Sequence, residues 1–400
     1  ISEGSSVMSK PIAIFFVVLT LACRVWGDLT ELRVPGTPAS GVVSPMVFEV
    51  PGHEGAAHYE AKDDDGNSWP VTVLGSRGVL VAPTSKEKRT LALEPAGDEG
   101  VRIVEKSNPN RLEVRIRGEL FTTFHYGEEL AKPYLWPVNA AGGVGITRDW
   151  PIGNAVKTKD HPHHVSFYTG YGDVNDADFW EYSDRKGYQR ATQVTFRGGA
   201  AYGRIVVFLT WSKEDGTPVL IEHRVYTFYN TPDDSRLFDL QSRLMARHGD
   251  VKFDDTKEGG MAAVRVHDGL REKGGTGVVT TSEGAVGARA AWGKPAEWCD
   301  YSGSLEGIGN VGITIMDHPS SFRFPSHWHV RDYGLMGANA FGYSHFYRAT
   351  DPDRNGDFLL KDRNYVQFRY RIYVHAGDVE EAQVSKQYEH FKSPLVADLR

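Results

Sequence analysis

Two neighbouring segments decide the fold: GRIVVFLTW at residues 203–211 and VLIEHRVYTFY at residues 219–229. Both are rich in β-branched and aromatic residues, which favour strands. The linker contains KEDGTP, and its Asp215-Gly216 pair is typical of a tight turn between antiparallel strands. The two segments are therefore predicted to form a β-hairpin.

Alternation of apolar and polar residues continues on both sides of this hairpin. RLEVRIR at residues 111–117 places apolar side chains on one face and charges on the other. The segments that begin at Ser235 and Tyr365 alternate in the same way, with almost no helical periodicity between them. This run of strands and short turns predicts an all-β fold, organised as a large antiparallel β-sandwich.

The sequence also suggests a division into two parts. Residues 28–110 are predicted to form a small β module with a polar loop at Asp63–Asn67, and residues 111–393 the main sandwich. Near the end of the chain, Asp378 is predicted to cap a C-terminal helix. The apolar stripe of this helix comprises Val384, Tyr388 and Phe391.

Composition and charge restrict the class of protein. Of the 400 residues, 40% are hydrophobic and 24% are charged, which is typical of a globular chain. The net charge is −7, and no block of basic residues is present, so nucleic acid is not expected as a partner.

The N-terminus predicts export. Residues 1–27 are interpreted as a signal peptide that includes a spurious extension at residues 1–7, with cleavage before Asp28. Its apolar run is too short to span a membrane, so a periplasmic or secreted protein is expected; lipid attachment at Cys23 is the alternative. After cleavage Cys299 is the only cysteine, which excludes an internal disulfide and suggests a core residue.

The segment DHPHH at residues 160–164 is the first candidate for chemistry. In an extended chain, His161 and His163 share a face while His164 points away. Asp160 could orient a histidine or bind substrate.

A second candidate is HWHVRDYG at residues 327–334. His327, His329 and Arg331 fall on one face of a strand, where they are costly to bury without a ligand or carboxylates. The paired histidines of the two segments could bind zinc, copper or iron, or they could act in acid–base and substrate-binding roles.

Two further segments carry charged or aromatic candidates. In DDTKEGG, Lys257 and Glu258 are expected on opposite faces of a strand, with Glu258 as a possible general base and Lys257 as a contact for an anionic substrate. In the segment at residues 171–180, Asn175 and Trp180 are candidates for substrate binding, and a turn is favoured over a calcium loop.

These interpretations give three sets of residues. The candidate catalytic residues are His161, His163, His164, Glu258 and His329. The candidate substrate-binding residues are Asp160, Lys257, Arg331, Asp332, Trp180 and Asn175. The candidate metal ligands are His161, His163, His327 and His329.

Several long segments together resemble the bacterial family labelled "methane oxygenase PmoA". They include DHPHHVSFYTGYGDVNDADFW at 160–180, WGKPAEWCDYSG at 292–303 and DHPSSFRFPSHWHVRDYGLMGANAFG at 317–342. The resemblance covers most of residues 45–392 and is accompanied by a similarity in predicted architecture to galactose-mutarotase-like sandwiches. The family pattern HHRGLWF is replaced here by HHVSF at residues 163–167, so an anion-binding role of that loop is not carried over.

Three functions follow as expectations. The leading one is an exported carbohydrate-active enzyme that uses histidine and glutamate as proton-transfer groups, in the manner of a mutarotase or lyase. The family label implies a metal-dependent oxygenase instead. The third is a non-catalytic protein that binds a glycan on its tryptophans.

Overall fold

The computed structural model describes residues 29–107, 110–153, 157–181, 184–232 and 234–400. The predicted signal peptide lies outside these residues. Within them the chain is almost entirely strand, in large antiparallel sheets with a C-terminal helix, which confirms the all-β prediction. None of the helices in these ranges has the length and apolar character required to cross a membrane.

The N-terminal part forms a seven-stranded sheet with its own apolar core. Six of its strands come from the first hundred residues, and residues 398–399 add the seventh beside the first strand. The loop predicted at Asp63–Asn67 is present, where the Asp63 carboxylate accepts the backbone N–H of Asn67 at 2.9 Å. The six strands are β1 (Glu31–Val34), β2 (Val43–Glu49), β3 (Ala56–Lys62), β4 (Ser68–Leu74), β5 (Arg77–Pro83) and β6 (Arg89–Pro95).

Sixteen of the remaining strands build the sandwich, while residues 251–253 and 358–360 pair as a separate two-stranded sheet and residues 398–399 belong to the N-terminal sheet. The first of the remaining strands are β7 (Val101–Glu105), β8 (Arg111–Ile116), β9 (Glu119–His125), β10 (Tyr134–Val138), β11 (Phe167–Tyr171), β12 (Gly187–Arg197), β13 (Tyr202–Lys213), β14 (Pro218–Tyr229), β15 (Ser235–Met245), β16 (Val251–Phe253) and β17 (Gly259–Arg265). They are followed by β18 (Val278–Thr281), β19 (Trp298–Leu305), β20 (Gly309–Asp317), β21 (His327–Arg331), β22 (Leu335–Asn339), β23 (Phe358–Leu360), β24 (Tyr365–Ala376) and β25 (Asp398–Leu399). The helices are α1 (Ala288–Ala291), α2 (Tyr343–Phe346) and α3 (Val384–Lys392).

Two eight-stranded sheets face each other across the main core. The front sheet has the order β21-β22-β17-β11-β10-β9-β8-β7, and the back sheet has the order β12-β13-β14-β15-β24-β20-β19-β18. The predicted hairpin is formed by β13 and β14 in the back sheet. Its turn contains Gly216 at φ +88°, and the Asp215 carboxylate accepts the N–H of Thr217 at 2.9 Å.

The boundary between the two parts lies earlier than residue 110. Strand β7 pairs with β8 over its full length and belongs to the front sheet, so the N-terminal module ends with β6 at Pro95. The sequence analysis placed the boundary too late because β7 has the same short apolar character as the strands before it.

The C-terminal helix covers the outer face of the back sheet. Its predicted apolar stripe is confirmed, because Val384, Tyr388 and Phe391 are all buried against that face. Asp378 does not cap the helix itself; it accepts the N–H groups of a preceding turn, and the helix begins after the left-handed Gln383. Because this helix covers the outer face of the back sheet, the outer face of the front sheet remains available for loops with polar side chains.

A charged pair is enclosed inside the sandwich. Glu222 and Arg224 lie on the inward face of β14, and both side chains are 0% exposed. The guanidinium donates two hydrogen bonds of 2.7 Å to the carboxylate. Trp211 and Ser242 donate to the same carboxylate at 2.8 and 2.7 Å, so its oxygens are fully engaged.

A second buried carboxyl, Asp317, ends β20. Burial raises its pKa to about 7, although the N–H of Ser326, donating at 2.8 Å, acts in the opposite direction. The neutral form is therefore the one that suits the folded state.

We expect this carboxyl to make stability depend on pH. Its contribution is fully present below the unfolded pKa of 3.8 and is lost as the pH rises through about 7. Asp317→Asn, which stays neutral and keeps an acceptor for Ser326, should remove a loss on the order of 4 kcal/mol over this interval. Urea unfolding of both proteins between these pH values measures the difference, and parallel pH curves would contradict the assignment.

Candidate functional site

The site is built on the outer face of the front sheet. The strand register places one row of side chains across it, in the order His329, Gly337, Ala263, Tyr168 and Tyr134. Residues next to them in the chain point into the sandwich core, as strand geometry requires. The row joins β21 to the strands that precede and follow the DHPHH segment.

Trp180 and His164 cover the middle of this row, where Gly337 and Ala263 leave room. The indole of Trp180 lies 5.4 Å from the ring of His164 and 5.9 Å from the ring of His329, measured between centroids. Trp180 is 0% exposed, so its predicted role as a substrate contact is wrong for this arrangement. It forms the floor of the site instead.

The DHPHH segment is a turn and not an extended chain. His161 has a left-handed φ of +46°, and the N–H of His164 donates to the carbonyl of His161 at 3.0 Å. His164 therefore does not point away: its ring is stacked on His161 at 5.0 Å and lies 4.3 Å from His163. The extended geometry expected around Pro162 was wrong, and all three imidazoles converge.

Arg148, which the sequence analysis did not select, holds this turn. Its side chain is 1% exposed and donates to the carbonyls of Asp160, His161 and His164 at 2.7, 2.8 and 3.0 Å. A planar guanidinium can serve three carbonyls at once, which a lysine ammonium cannot do with the same geometry.

Arg148→Met should loosen the turn. Loss of even one charge-assisted hydrogen bond, worth about 1.5–3 kcal/mol, should raise the equilibrium constant for local opening of the turn roughly tenfold or more. Hydrogen exchange of the amides at residues 160–164 should accelerate by that factor, whereas the exposed Arg247→Met serves as the control. Unchanged exchange in Arg148→Met would show that the turn is held by other contacts.

Asp160 and His161 form a hydrogen-bonded dyad at the rim. The Nδ1 of His161 lies 2.5 Å from a carboxylate oxygen of Asp160, and Arg265 donates to the same carboxylate at 3.0 Å. Burial acts to raise the pKa of Asp160, but the hydrogen bond from His161 and the charge of Arg265 outweigh it and hold the pKa below its usual value. Because an ionised carboxylate only accepts, Nδ1 must carry a proton, which leaves Nε2 as the lone-pair nitrogen whenever the ring is neutral.

The dyad is also the accessible part of the site. The side chain of His161 is 39% exposed, and its ring is stacked on Tyr333 at 4.6 Å. Arg265 lies beneath, 0% exposed, with its guanidinium 4.7 Å from the Tyr333 ring. The carboxylate, the imidazole and the phenol ring are therefore held in fixed positions by groups below them.

The deeper histidines are neutral at physiological pH. Burial, followed by the charge of Lys132, lowers the pKa of His163 to about 3. Burial and neighbouring positive groups hold the pKa values of His164 and His329 well below the usual value. These rings are therefore available as hydrogen-bonding groups and not as cations.

Several of their nitrogens are buried without a hydrogen-bond partner among the described residues. They include Nε2 of His163, both ring nitrogens of His164, Nδ1 of His329 and Nε1 of Trp180. Unpaired buried polar atoms are rare in folded proteins, and a group of them at one place calls for water or a ligand.

Lys257 and Glu258 do not lie on opposite faces of a strand. They occupy the turn before β17, and the Lys257 ammonium forms a close ion pair with the Glu258 carboxylate. Asn339 ties this turn to the sheet by donating to the carbonyls of Thr256 and Lys257 at 3.0 and 3.1 Å. Glu258 is consequently neutralised by its neighbour, which weakens its case as a general base.

Glu181 is a carboxylate that the sequence analysis missed. It lies 3.9 Å from Nε2 of His163, and its side chain is 45% exposed. Glu181 and Glu258 both line a cavity of about 450 Å³, whose other lining side chains include Asp173, Asp178 and Asp184. Lys132, also missed, donates to the carbonyl of Trp180 at 2.6 Å and fixes the segment that carries Glu181.

Three predicted residues lie outside this group. Asn175 binds the backbone of β16, accepting the N–H of Lys252 at 2.6 Å, and Asp332 is exposed beside Arg331. His327 shares a strand face with His329, but its Nε2 lies 2.7 Å from the hydroxyl of Tyr347 and its ring is stacked on Phe346.

The four histidines proposed as metal ligands are not assembled together. Within the described ranges, no three His, Cys, Asp or Glu side chains are grouped so that they could hold a metal ion. His327 is diverted to the aromatic side chains around α2, and Nδ1 of His161 is taken by Asp160.

Comparison with known proteins gives a family but no activity. The model of a family of unknown function, DUF6807, matches residues 111–389, which is more than half of the chain. This finding corrects the resemblance to the family labelled "methane oxygenase PmoA", because the matching family carries no such label. No curated protein matches the chain.

Proposed function

The chain belongs to the family DUF6807, and we propose that it is a carbohydrate-active enzyme that acts by acid–base chemistry, as a mutarotase or lyase does. The observation that carries this proposal is the Asp160–His161 dyad, which presents a free imidazole nitrogen at the rim of the site. Asp160 fixes the tautomer of His161 and would stabilise its imidazolium after a proton is taken up.

A second proton-transfer group is needed on the substrate, because one group must take a proton while another gives one. Glu181 supplies a carboxylate next to His163, whose ring lies 5.8 Å from that of His161. We assign this role to Glu181 in preference to Glu258, since Lys257 neutralises the latter. His163 lies between Glu181 and His161 and can serve as a neutral hydrogen-bonding group.

A sugar suits the surroundings of these groups. Partly buried aromatic side chains, on which the apolar face of a sugar ring can pack, adjoin the dyad and the row beneath it. They are Trp136, Trp150 and Tyr333. The unpaired nitrogens and carboxylates nearby offer partners for hydroxyl groups. Hydrolysis is a weaker reading, because it would need two carboxylates at a set separation across the bond.

The proposal is tested by assaying the purified protein on reducing sugars and on oligosaccharides that contain uronic acids. Polarimetry detects interconversion of anomers, ultraviolet absorbance detects an unsaturated lyase product, and a reducing-end assay detects hydrolysis. One of the first two signals is expected. Binding of glycans with no product in any assay would replace the enzyme by a glycan-binding protein.

Export is also part of the proposal, supported by the N-terminal sequence alone. Expression of the full-length chain in a bacterium should yield a mature protein that begins at Asp28. Mass spectrometry of the periplasmic or secreted fraction measures this directly. Recovery of an unprocessed chain in the cytoplasm would exclude it, and a lipid-modified Cys23 would indicate anchoring instead.

A further inference from the structure

We propose that the substrate is an acidic sugar, and that Arg331, with Lys257 beside it, binds the carboxylate of a uronic acid above His329. The inference rests on the proposed function, because it assigns the substrate class of the same site. Three features at the exposed edge of the site support the proposal. Arg331 has no counter-ion, Lys257 is a second cation close by, and the buried His329 below them has one ring nitrogen without a partner among the described residues.

Arg331 is the cation without a counter-ion. It lies on the same face of β21 as His329, and its guanidinium carbon is 5.0 Å from the centroid of the Trp292 ring. No carboxylate in the described part of the chain comes within the 4.0 Å of an ion pair with it. A half-buried guanidinium is seldom left in this state, since its planar fork suits a carboxylate.

Two of the neighbouring carboxylates are already engaged, whereas the exposed Asp332 acts on Arg331 through its charge from beyond ion-pair distance. Asp160 receives hydrogen bonds from His161 and Arg265, and Glu258 is paired with Lys257. The rim therefore has a positive charge in excess at Arg331. An anion bound there would relieve a repulsion that the folded protein otherwise retains.

Lys257 is a second cation close to Arg331, although its own charge is paired with Glu258. Burial, followed by the charge of Arg331, lowers its pKa. The side chain of Lys257 is 36% exposed, so a ligand can reach it. The hydrogen bonds from Asn339 keep its backbone over the sheet, close to β21.

His329 lies below these cations and has one ring nitrogen without a protein partner among the described residues. It is 1% exposed, and its Nδ1 is buried without a hydrogen bond among the described residues. Both Arg331 and Lys257 act to keep the imidazole neutral. Because the ring also hydrogen-bonds to the backbone of Gly259, the neutral imidazole presents Nδ1 as an acceptor for a hydroxyl group of the ligand.

Matched pairs of sugars test the charge directly. D-glucuronate and D-galacturonate differ from D-glucose and D-galactose by a carboxylate at one carbon, so their binding isolates its contribution. We expect each uronate to bind at least about tenfold more tightly than its neutral partner at low salt, and the ratio to fall as salt is added. Titrations followed by NMR spectroscopy measure the dissociation constants.

Arg331→Met should remove most of this preference while leaving the neutral sugars unchanged, and Arg331→Lys should restore part of it. The exposed Arg289→Met is the matched control and should bind like the wild type. Thermal unfolding shows whether each variant is folded. The partial rescue by lysine distinguishes lost charge recognition from lost packing on Trp292.

The inference is overturned if the acidic and neutral sugars bind equally, if no uronate binds, or if folded Arg331→Met keeps the full preference. Inorganic sulfate that displaces the uronate at equal concentration would overturn the assignment to a carboxylate. A preference for uronates without turnover of any sugar would support this inference and contradict the proposed enzyme. Turnover of neutral sugars without any preference for uronates would contradict this inference and support the proposed enzyme.

Discussion

Glu222→Ala should lower the free energy of unfolding by about 3–5 kcal/mol, because it leaves the Arg224 guanidinium buried without its counter-ion. Both side chains are 0% exposed, and the carboxylate also accepts hydrogen bonds from Trp211 and Ser242. Chemical denaturation monitored by tryptophan fluorescence measures the change. A loss of less than about 1 kcal/mol, the range of surface pairs, would show that water reaches the pair.

The double variant Glu222→Leu/Arg224→Met is the control for this result. Replacing both charges by apolar side chains of similar size removes the unpaired charge, so it should cost much less than the single change. Trp211 and Ser242 would then lose an acceptor, and a residual loss of about 1–3 kcal/mol is expected from their unsatisfied donors. A double variant as unstable as Glu222→Ala would indicate that packing, and not charge, decides the outcome.

His161→Asn should reduce turnover by a factor of about 10²–10⁴, the usual contribution of a positioned acid or base. Asparagine is chosen because its side-chain N–H can still donate to Asp160 and because it tolerates the left-handed backbone of this residue. It cannot take up a proton. Steady-state kinetics on the substrate identified by the assays above should show the loss in kcat, with binding of the sugar little changed.

The exposed His248→Asn is the matched control and should retain full turnover. The pH profile gives a second readout: the limb that the proton-accepting, uncharged form of the base produces in the wild type should disappear in His161→Asn. If His161→Asn keeps its turnover and its pH profile, His161 takes no part in the reaction and the dyad is structural.

The sequence was sufficient to predict the architecture, because the fold depends on short-range patterns. Alternation in residues 203–229 and the turn at Asp215-Gly216 give the hairpin directly. The same alternation does not predict the buried ion pair. Ile221 and Val225 are partly exposed, whereas Glu222 and Arg224 point inward. Strand periodicity gives two faces but does not say which one is buried when both carry apolar residues.

The site was predicted only in part. Residue type and spacing selected the histidines of both segments, and the structure brings His161, His163, His164 and His329 to one side of the front sheet. The supporting residues depend on pairings between distant strands. Arg148 and Arg265 were missed because each is a single basic residue in an apolar stretch, and only the register shows that they meet at Asp160.

Local conformation explains the remaining errors. The sequence analysis assumed an extended chain at residues 160–164, but the left-handed His161 folds it into a turn and reverses the expected direction of His164. Lys257 and Glu258 were treated as strand residues, although the strand begins only after them at Gly259. In both places the backbone conformation of a single residue determines which side chains lie on the same face.

Gly337 and Ala263, the two smallest residues in the row across the front sheet, determine how closely Trp180 and His164 approach the sheet. A side-chain carbon added at Gly337 would lie 3.2 Å from the carbonyl oxygen of Gly259, so this position accepts almost no growth unless β17 shifts. Ala263, its partner in register, is the position where bulk can change. A leucine there would push the indole of Trp180, which shares a buried apolar cluster with Ala263, towards solvent and leave a shallower, more aromatic entrance.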